Sequence, residues 1–256
     1  MCKHTRVPCV LLPAALLIAA SALTACTSST EHAHWSYQGD TGPAFWGSMD
    51  PEWRMAHDGR AQSPINLTRD NAVDANLPGL KFTSAPTTIV AKDNGHTIQW
   101  DAIGANTLTI GKDVYALKQF HFHAPSEHTV DGKHYPVELH FVHANAQGNL
   151  AVVGVMLNPS NHGADAYQAL MQTIPHHGQQ GQPVQFNPYA LLPSTRSYAT
   201  YSGSLTTPPC TEGVRWIVLT TPSRVTNRQV AAFMNAYNGN ARPVQPVNGR
   251  LVLVRD

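Results

Sequence analysis

The feature that most constrains the fold is how short the periodic segments are. Runs at 88–91, 97–101, 107–110, 114–123, 137–144, 150–157, 214–219 and 251–254 carry β-branched and aromatic residues, and many are bounded by Asn, Asp or Gly. That is the pattern of strands. Asp131-Gly132 and Gln147-Gly148-Asn149 stand between such runs as turns. Two segments have helical spacing instead. Residues 164–174 place Tyr167, Leu170, Met171 and Ile174 on one side. Residues 226–237 open with the capping box Thr226-Asn227-Arg228-Gln229, continue with Val230, Phe233, Met234 and Tyr237, and meet Gly239. The expectation is a single mainly β domain of the α+β type with a few short peripheral helices. A chain of 256 residues at 42% hydrophobic composition can bury a sizeable core for it.

Charged residues make up 13% of the chain and the formal net charge is +1, with no basic stripe. Nucleic acid is therefore not an expected partner. At the N-terminus Lys3 and Arg6 precede an apolar run over 10–25 that ends in Leu23-Thr24-Ala25-Cys26. This reads as a secretory signal of the lipoprotein type over 1–25, with a lipid on Cys26, a polar tether over 26–34 and a folded domain over 35–256; the rival reading is a plain signal peptide without lipid. It implies export to the periplasm and a membrane contact only through the lipid. Cys2 and Cys9 leave with the signal, so a lipidated Cys26 leaves Cys210 without a partner in the chain.

The chemistry-bearing stretch is Gln119-Phe120-His121-Phe122-His123-Ala124-Pro125-Ser126-Glu127-His128, followed by Glu138-Leu139-His140. Side chains two apart on a strand point the same way, so His121 and His123 share one face and Phe120 and Phe122 the other. An antiparallel return through Glu138, His140 and Val142 brings His140 beside them. Three imidazoles without a fourth protein ligand make an open zinc site of the catalytic kind. Metal-bound imidazoles need the other nitrogen hydrogen-bonded, and Gln119 and Glu138 have the right parity for that. Glu127 lies in the connection, suited to orienting a reacting group. His143 has the wrong parity for the same metal. It reads, like His128, His134, His162, His176 and His177, as a surface or satisfied core residue. The HxH-x3-E spacing also occurs in cupins, but Tyr115 and His134 stand where cupins need glycine, and no second cupin motif follows His140.

Residues 126–142, with "HWSY" at 34–37, "QSPINL" at 62–67, "NGH" at 94–96 and "SLTTPPCTEGVRWIV" at 204–218, resemble the α-class carbonic anhydrases. The resemblance spans about Trp35 to Val254. It implies a large twisted, mostly antiparallel sheet with a conical zinc cleft, and reversible hydration of carbon dioxide to bicarbonate and a proton. It implies zinc on His121, His123 and His140. Thr206 and Glu127 would orient the attacking hydroxide, and His96 would carry the proton out. Val142, Val152, Leu205, Val214 and Trp216 would form an apolar wall for carbon dioxide, with Thr207 also at the substrate. Tyr37, Asn94, Gln99 and Gln119 would line the polar side and, with Glu138, support the ligands. The alternative is a non-catalytic, carbonic-anhydrase-like zinc-binding protein, but such relatives usually lack a ligand and this chain keeps all three.

The chain departs from the bacterial pattern in two places. Relatives commonly pair a cysteine before "QSPIN" with one after "TTPP"; here Cys210 is present, and Ala56 holds the partner position. The expectation is lower stability than in disulfide-bearing relatives, or a dimer through Cys210; monomer and homodimer are both open. Ser36 replaces the usual glycine of "HWGY", with no expected effect on the chemistry.

Overall fold

The computed structural model describes Met1 and residues 33–255. The signal segment, Cys26 and most of the tether lie outside the described residues. The strands are β1 (Asn66–Leu67), β2 (Ala72–Asp74), β3 (Leu80–Thr83), β4 (Thr87–Asp93), β5 (Ile98–Gly104), β6 (Thr107–Ile110), β7 (Asp113–His123), β8 (Thr129–Val130), β9 (Lys133–His134) and β10 (Val137–Ala144). They continue with β11 (Leu150–Pro159), β12 (Val184–Gln185), β13 (Tyr198–Ser204), β14 (Glu212–Val225) and β15 (Val252–Arg255). The α-helices are short: α1 (Trp46–Met49), α2 (Met55–Asp58), α3 (Asp165–Met171) and α4 (Asn227–Ala236). Among the described residues no helix is long and apolar enough to cross a membrane.

One 12-stranded sheet dominates, in the order β12-β4-β5-β7-β10-β11-β14-β13-β15-β2, with β6 sharing an edge of β7 and carrying β3. Its pairs are antiparallel except β11–β14 and β15–β2, so the expected mostly antiparallel sheet has a parallel pair near its middle. A parallel neighbour needs a crossover, and the chain between β11 and β14 supplies α3, β12 and β13. α4 begins as the capping box predicts: Thr226 Oγ1 accepts from the Gln229 amide, and the Gln229 side chain accepts from the Thr226 amide. Its Val230 and Phe233 are buried, with Phe233 stacked on Phe122 at 4.1 Å between ring centres.

Strand alternation sorts the side chains into two clusters. Leu139, Phe141, Val153, Val155, Ile217 and Leu219 join α3 and α4 on one face. Val152, Met156, Val214, Trp216 and Val218 gather on the other, with Val142 and Leu205 packed against them. In β7 the alternation changes phase. Tyr115 and Leu117 pack into the same cluster as Phe120 and Phe122, although their parities differ. The register explains this: Val142 pairs with Gln119 and His143 with Leu117, which leaves Lys118 as an extra residue. This β-bulge turns His121 and His123 away from the large core while the first half of β7 stays anchored in it.

The strand β13 is absent from the sequence expectation. Its sequence, YATYSGS, is rich in Ser and Gly and reads as a loop, yet it pairs with both β14 and β15. Gly203 is required there, because a Cβ at that position would lie 2.1 Å from Ser63 Oγ. The sulfur on which a dimer through Cys210 would depend lies inside the fold. That cysteine is free and fully buried, and burial pushes its thiol up to about 11. Cys210 thus offers neither an accessible sulfur nor a thiolate for an intermolecular bond.

Candidate metal centre

His121 and His123 come from the end of β7 and His140 from β10, where His140 pairs directly with His121. One nitrogen from each ring lies within 4.8 Å of the others. The remaining nitrogens are all engaged. His121 Nδ1 donates to Gln119 Oε1 at 2.8 Å, His123 Nδ1 to the Asn240 carbonyl at 2.7 Å, and His140 Nε2 to Glu138 Oε1 at 2.9 Å. This fixes each tautomer and leaves Nε2, Nε2 and Nδ1 with free lone pairs. His123 Nε2 is buried without a hydrogen-bond partner. A buried polar atom left orphaned is costly unless a ligand completes it. Burial pushes all three imidazoles below their usual pKa, so they are neutral near pH 7, as a metal requires. The residues therefore fit a zinc ion.

A second possible ligand group, His128, Glu138 and His140, shares the Glu138 carboxylate. Its atoms already satisfy one another. Glu138 Oε1 accepts from His128 Nδ1 at 2.8 Å as well as from His140, and His128 Nε2 meets Tyr201 Oη at 2.7 Å. It is a support for His140. Burial alone would raise the Glu138 carboxyl, but His128 and His140 hold it well below the usual range. β11 makes room for this carboxylate at Gly154, where a Cβ would lie 2.8 Å from Glu138 Oε1.

Glu127 is fully buried beside the ligands, its Oε2 lying 3.5 Å from His123 Nε2 and 3.9 Å from His140 Nδ1. Burial pushes its carboxyl up to about 7, against the opposing pull of His140, the Arg242 amide and the Thr206 hydroxyl. Oε1 accepts from the Arg242 amide at 2.9 Å. Oε2 has no hydrogen-bond partner of ordinary geometry, and the Thr206 hydroxyl stands near enough to favour the charged carboxylate. Thr206 and Thr207 sit in the β13–β14 connection, pinned by Leu205 N donating to Thr211 O and Cys210 N to Thr207 O.

Trp216 stands 4.9 Å from the His140 ring, and its indole donates to Ser204 O. Val142, Val152, Leu205, Val214 and Trp216 belong to one apolar cluster on the ligand side of the sheet. Trp216 pairs with Val152, and Val152 with Val142. The predicted polar residues divide. Gln119 holds His121. Gln99, paired with His121 across β5 and β7, turns its amide to Asp101. Asn94 is exposed and spends its side-chain oxygen on the amides of His96 and Thr97. Tyr37 packs edge-on against Trp35 and Trp46, and burial followed by the charge of Glu127 raises its hydroxyl well above the usual range. His96 is half-buried and stacks flat on Trp35, 3.5 Å between ring centres and 8° between planes. His143 lies in the large core, bonded to Phe141 O and Tyr189 Oη.

Sequence reasoning missed Asn240, Arg242 and the role of His128. Asn240 acts on His123 through a backbone carbonyl, which no side-chain pattern marks. His128 stands in the quoted motif, and its spacing to Glu138 was the available signal.

The fold and this cluster define a class: a β-sheet protein with an open three-imidazole centre beside an apolar wall. Residues 41–256 match the family model described as eukaryotic-type carbonic anhydrase. A carbonic anhydrase of Pectobacterium atrosepticum is 39% identical over 236 residues, 90% of this chain and 96% of that protein. One of Klebsiella pneumoniae is 42% identical, covering 86% of this chain and 90% of the other. The solved α-carbonic anhydrase of Thermovibrio ammonificans, in complex with the inhibitor sulfanilamide, is 42% identical with a TM-score of 0.83, covering 86% of this chain and 99% of that one. The chain belongs to the carbonic anhydrase family. It is an enzyme, its reaction is the hydration of carbon dioxide, and the family's metal is zinc.

Proposed function

We propose that this enzyme is a zinc carbonic anhydrase whose metal is held by His121 Nε2, His123 Nε2 and His140 Nδ1. The observation that carries the reading is the convergence of these three nitrogens, one of them buried and without a partner, while each opposite nitrogen is bonded. Bound zinc supplies activation of water for attack at neutral pH, by lowering its pKa to about 7, a value established for carbonic anhydrases and not read from this chain. Gln119, Asn240 and Glu138 hold the three rings in their tautomers. The Thr206 hydroxyl would accept a hydrogen bond from the nucleophile and donate one to Glu127, which aims the nucleophile's lone pair at the substrate. The wall of Val142, Val152, Leu205, Val214 and Trp216, with Thr207 beside it, receives carbon dioxide, an uncharged molecule with little to hydrogen-bond. His96 takes up the released proton through water and passes it to solvent.

The chain is exported through the signal over 1–25 and anchored by a lipid on Cys26. The support is the lipobox at 23–26. Mass spectrometry of the mature N-terminus decides it: an acylated Cys26 is expected, and an unmodified terminus elsewhere sinks the anchor.

The test of the enzyme is stopped-flow hydration of carbon dioxide with zinc analysis, on the domain from Thr27 and its His121→Ala variant. Fast hydration with about one zinc per chain, both lost in the variant, is the expected result. Zinc bound without hydration would overturn the catalytic reading.

A further inference from the structure

The turn that carries His96 is held from outside the site by a carboxylate that the reaction above does not use. Asp93 ends β4. Its Oδ1 accepts from the Gly95 amide at 3.0 Å and from the Tyr237 hydroxyl. Its Oδ2 accepts from the Gly178 amide and from His177 Nδ1, each at 2.7 Å. The Asp93 side chain is 1% exposed, whereas that of His177 is 86% exposed. One buried carboxylate thus joins the β4–β5 turn to the loop after α3 and to the residue that follows α4.

Two observations carry this beyond a structural clip. Asp93 and Asn94 grip the same turn from two sides: Asp93 takes the Gly95 amide, and Asn94 Oδ1 takes the amides of His96 and Thr97 at 3.0 and 2.9 Å. The backbone beneath His96 is therefore fixed, with its ring stacked on Trp35. Second, burial and then His34 both disfavour the protonated His96 ring, and the charge of Asp93 opposes them. The charged and titratable groups around the pair are few. His34 faces the His96 ring at 6.4 Å and Tyr37 at 6.5 Å. His177 and Tyr237 face Asp93, and the neighbouring Lys92 is paired with Asp101.

We propose that Asp93 is a positioning residue for proton transfer: it locks the Asn94-Gly95-His96 turn onto Tyr237 and the 177–178 loop, and so holds the His96 ring in place to accept a proton. This rests on reading His96 as the proton carrier. An anion of this kind acts on the transfer step and not on the attack at carbon, so its effect falls on kcat and spares kcat/KM.

The experiment uses the zinc-loaded enzyme and the variants Asp93→Asn, Asp93→Glu, Tyr237→Phe and His96→Ala. Histidine NMR titration gives the His96 pKa, and stopped-flow in weak buffer gives kcat and kcat/KM. In Asp93→Asn the His96 pKa should fall, since a neighbouring negative charge is lost, and kcat should fall about threefold, the order of one nearby charge in a water-like dielectric. kcat/KM should hold, added imidazole should restore kcat, and Asp93→Glu should recover part of the loss. Tyr237→Phe keeps the charge and removes one clamp, so kcat should fall with the pKa unmoved. An unchanged His96 titration and kcat in Asp93→Asn overturns the proposal, as does a parallel loss of kcat and kcat/KM that imidazole does not restore. If Asp93→Asn fails to fold, Tyr237→Phe decides, and an unchanged kcat there overturns the positioning. His96→Ala separates the two ideas: normal kcat in weak buffer removes the carrier reading itself, while loss of kcat there beside an unaffected Asp93→Asn removes only the proposal.

Discussion

Glu138 Oε1 receives two imidazoles at once, His140 Nε2 at 2.9 Å and His128 Nδ1 at 2.8 Å. The second carboxylate oxygen takes the His128 amide at 2.8 Å. His140 is thus aimed by a residue that is itself held by two bonds from His128. Glu138→Gln places an NH2 group among three N–H groups that need acceptors, and at least one must go unsatisfied. Zinc affinity should drop by about 10–100-fold, the usual cost of disturbing a ligand's hydrogen-bond partner. Competition with a chelating dye measures it; unchanged affinity would show that His140 needs no such aim.

Thr206 and Glu127 should be separable from metal binding. Neither belongs to the three-histidine group. Thr206→Val keeps the volume and removes the hydroxyl. Zinc content should stay at that of the wild type while kcat/KM falls roughly a hundredfold, the order for losing one oriented hydrogen bond in a closed site. Loss of zinc in parallel would make Thr206 a structural residue instead.

His143 predicts a pH dependence of stability. Burial brings its pKa down to about 4, although the Phe141 and Ala151 backbone bonds oppose the shift. In the unfolded chain it returns to about 6.5, so below that pH the unfolded state binds the proton first. The stability it allows is full above pH 6.5 and is lost as pH falls towards 4, by about 3 kcal/mol at most. Urea unfolding between pH 7 and 4 should show a shallower decline in His143→Gln than in the wild type. Parallel declines would mean that the ring is already charged in the fold.

Ala56→Cys should restore a disulfide to Cys210. The Ala56 carbonyl accepts from Arg242 Nη2 at 3.1 Å, and the Cys210 carbonyl from Gln62 Nε2 at 3.0 Å, while Arg242 and Gln62 bond each other. Both positions border one buried knot. Closing so long a loop should add about 2–5 kcal/mol. The checks are loss of the free thiol and a higher urea midpoint that reductant abolishes. In the wild type, Cys210 should react with thiol reagents only on unfolding, and gels without reductant should show no dimer through it.

The sequence exposes side-chain periodicity and conceals what the backbone contributes. Strand β10 is legible at 137–144 because Val137 to Phe141 alternate and its ends are marked, and the box at Thr226–Gln229 likewise marks the start of α4. Strand β13 is hidden by serine and glycine, which it needs because Ser63 crowds Gly203. The candidate ligands are visible as a spacing, and Gln119 and Glu138 by parity. Asn240 is not, since its carbonyl reaches His123 from a segment with no period of its own. Cys210 suggested a dimer because a cysteine count carries no information on burial.

The extra residue at Lys118 makes the histidine pair a matter of counting. Before it, odd-numbered side chains of β7 enter the large core; after it, even-numbered ones do. An in-frame loss of the Lys118 codon would change no residue of the metal centre and still reverse one half of the strand. Either Tyr115 and Leu117 would leave the core, or His121 and His123 would enter it. Inheritance of this site therefore depends on the length of a seemingly ordinary segment as strictly as on the histidines themselves, and a single-residue deletion there should be as damaging as replacing a ligand.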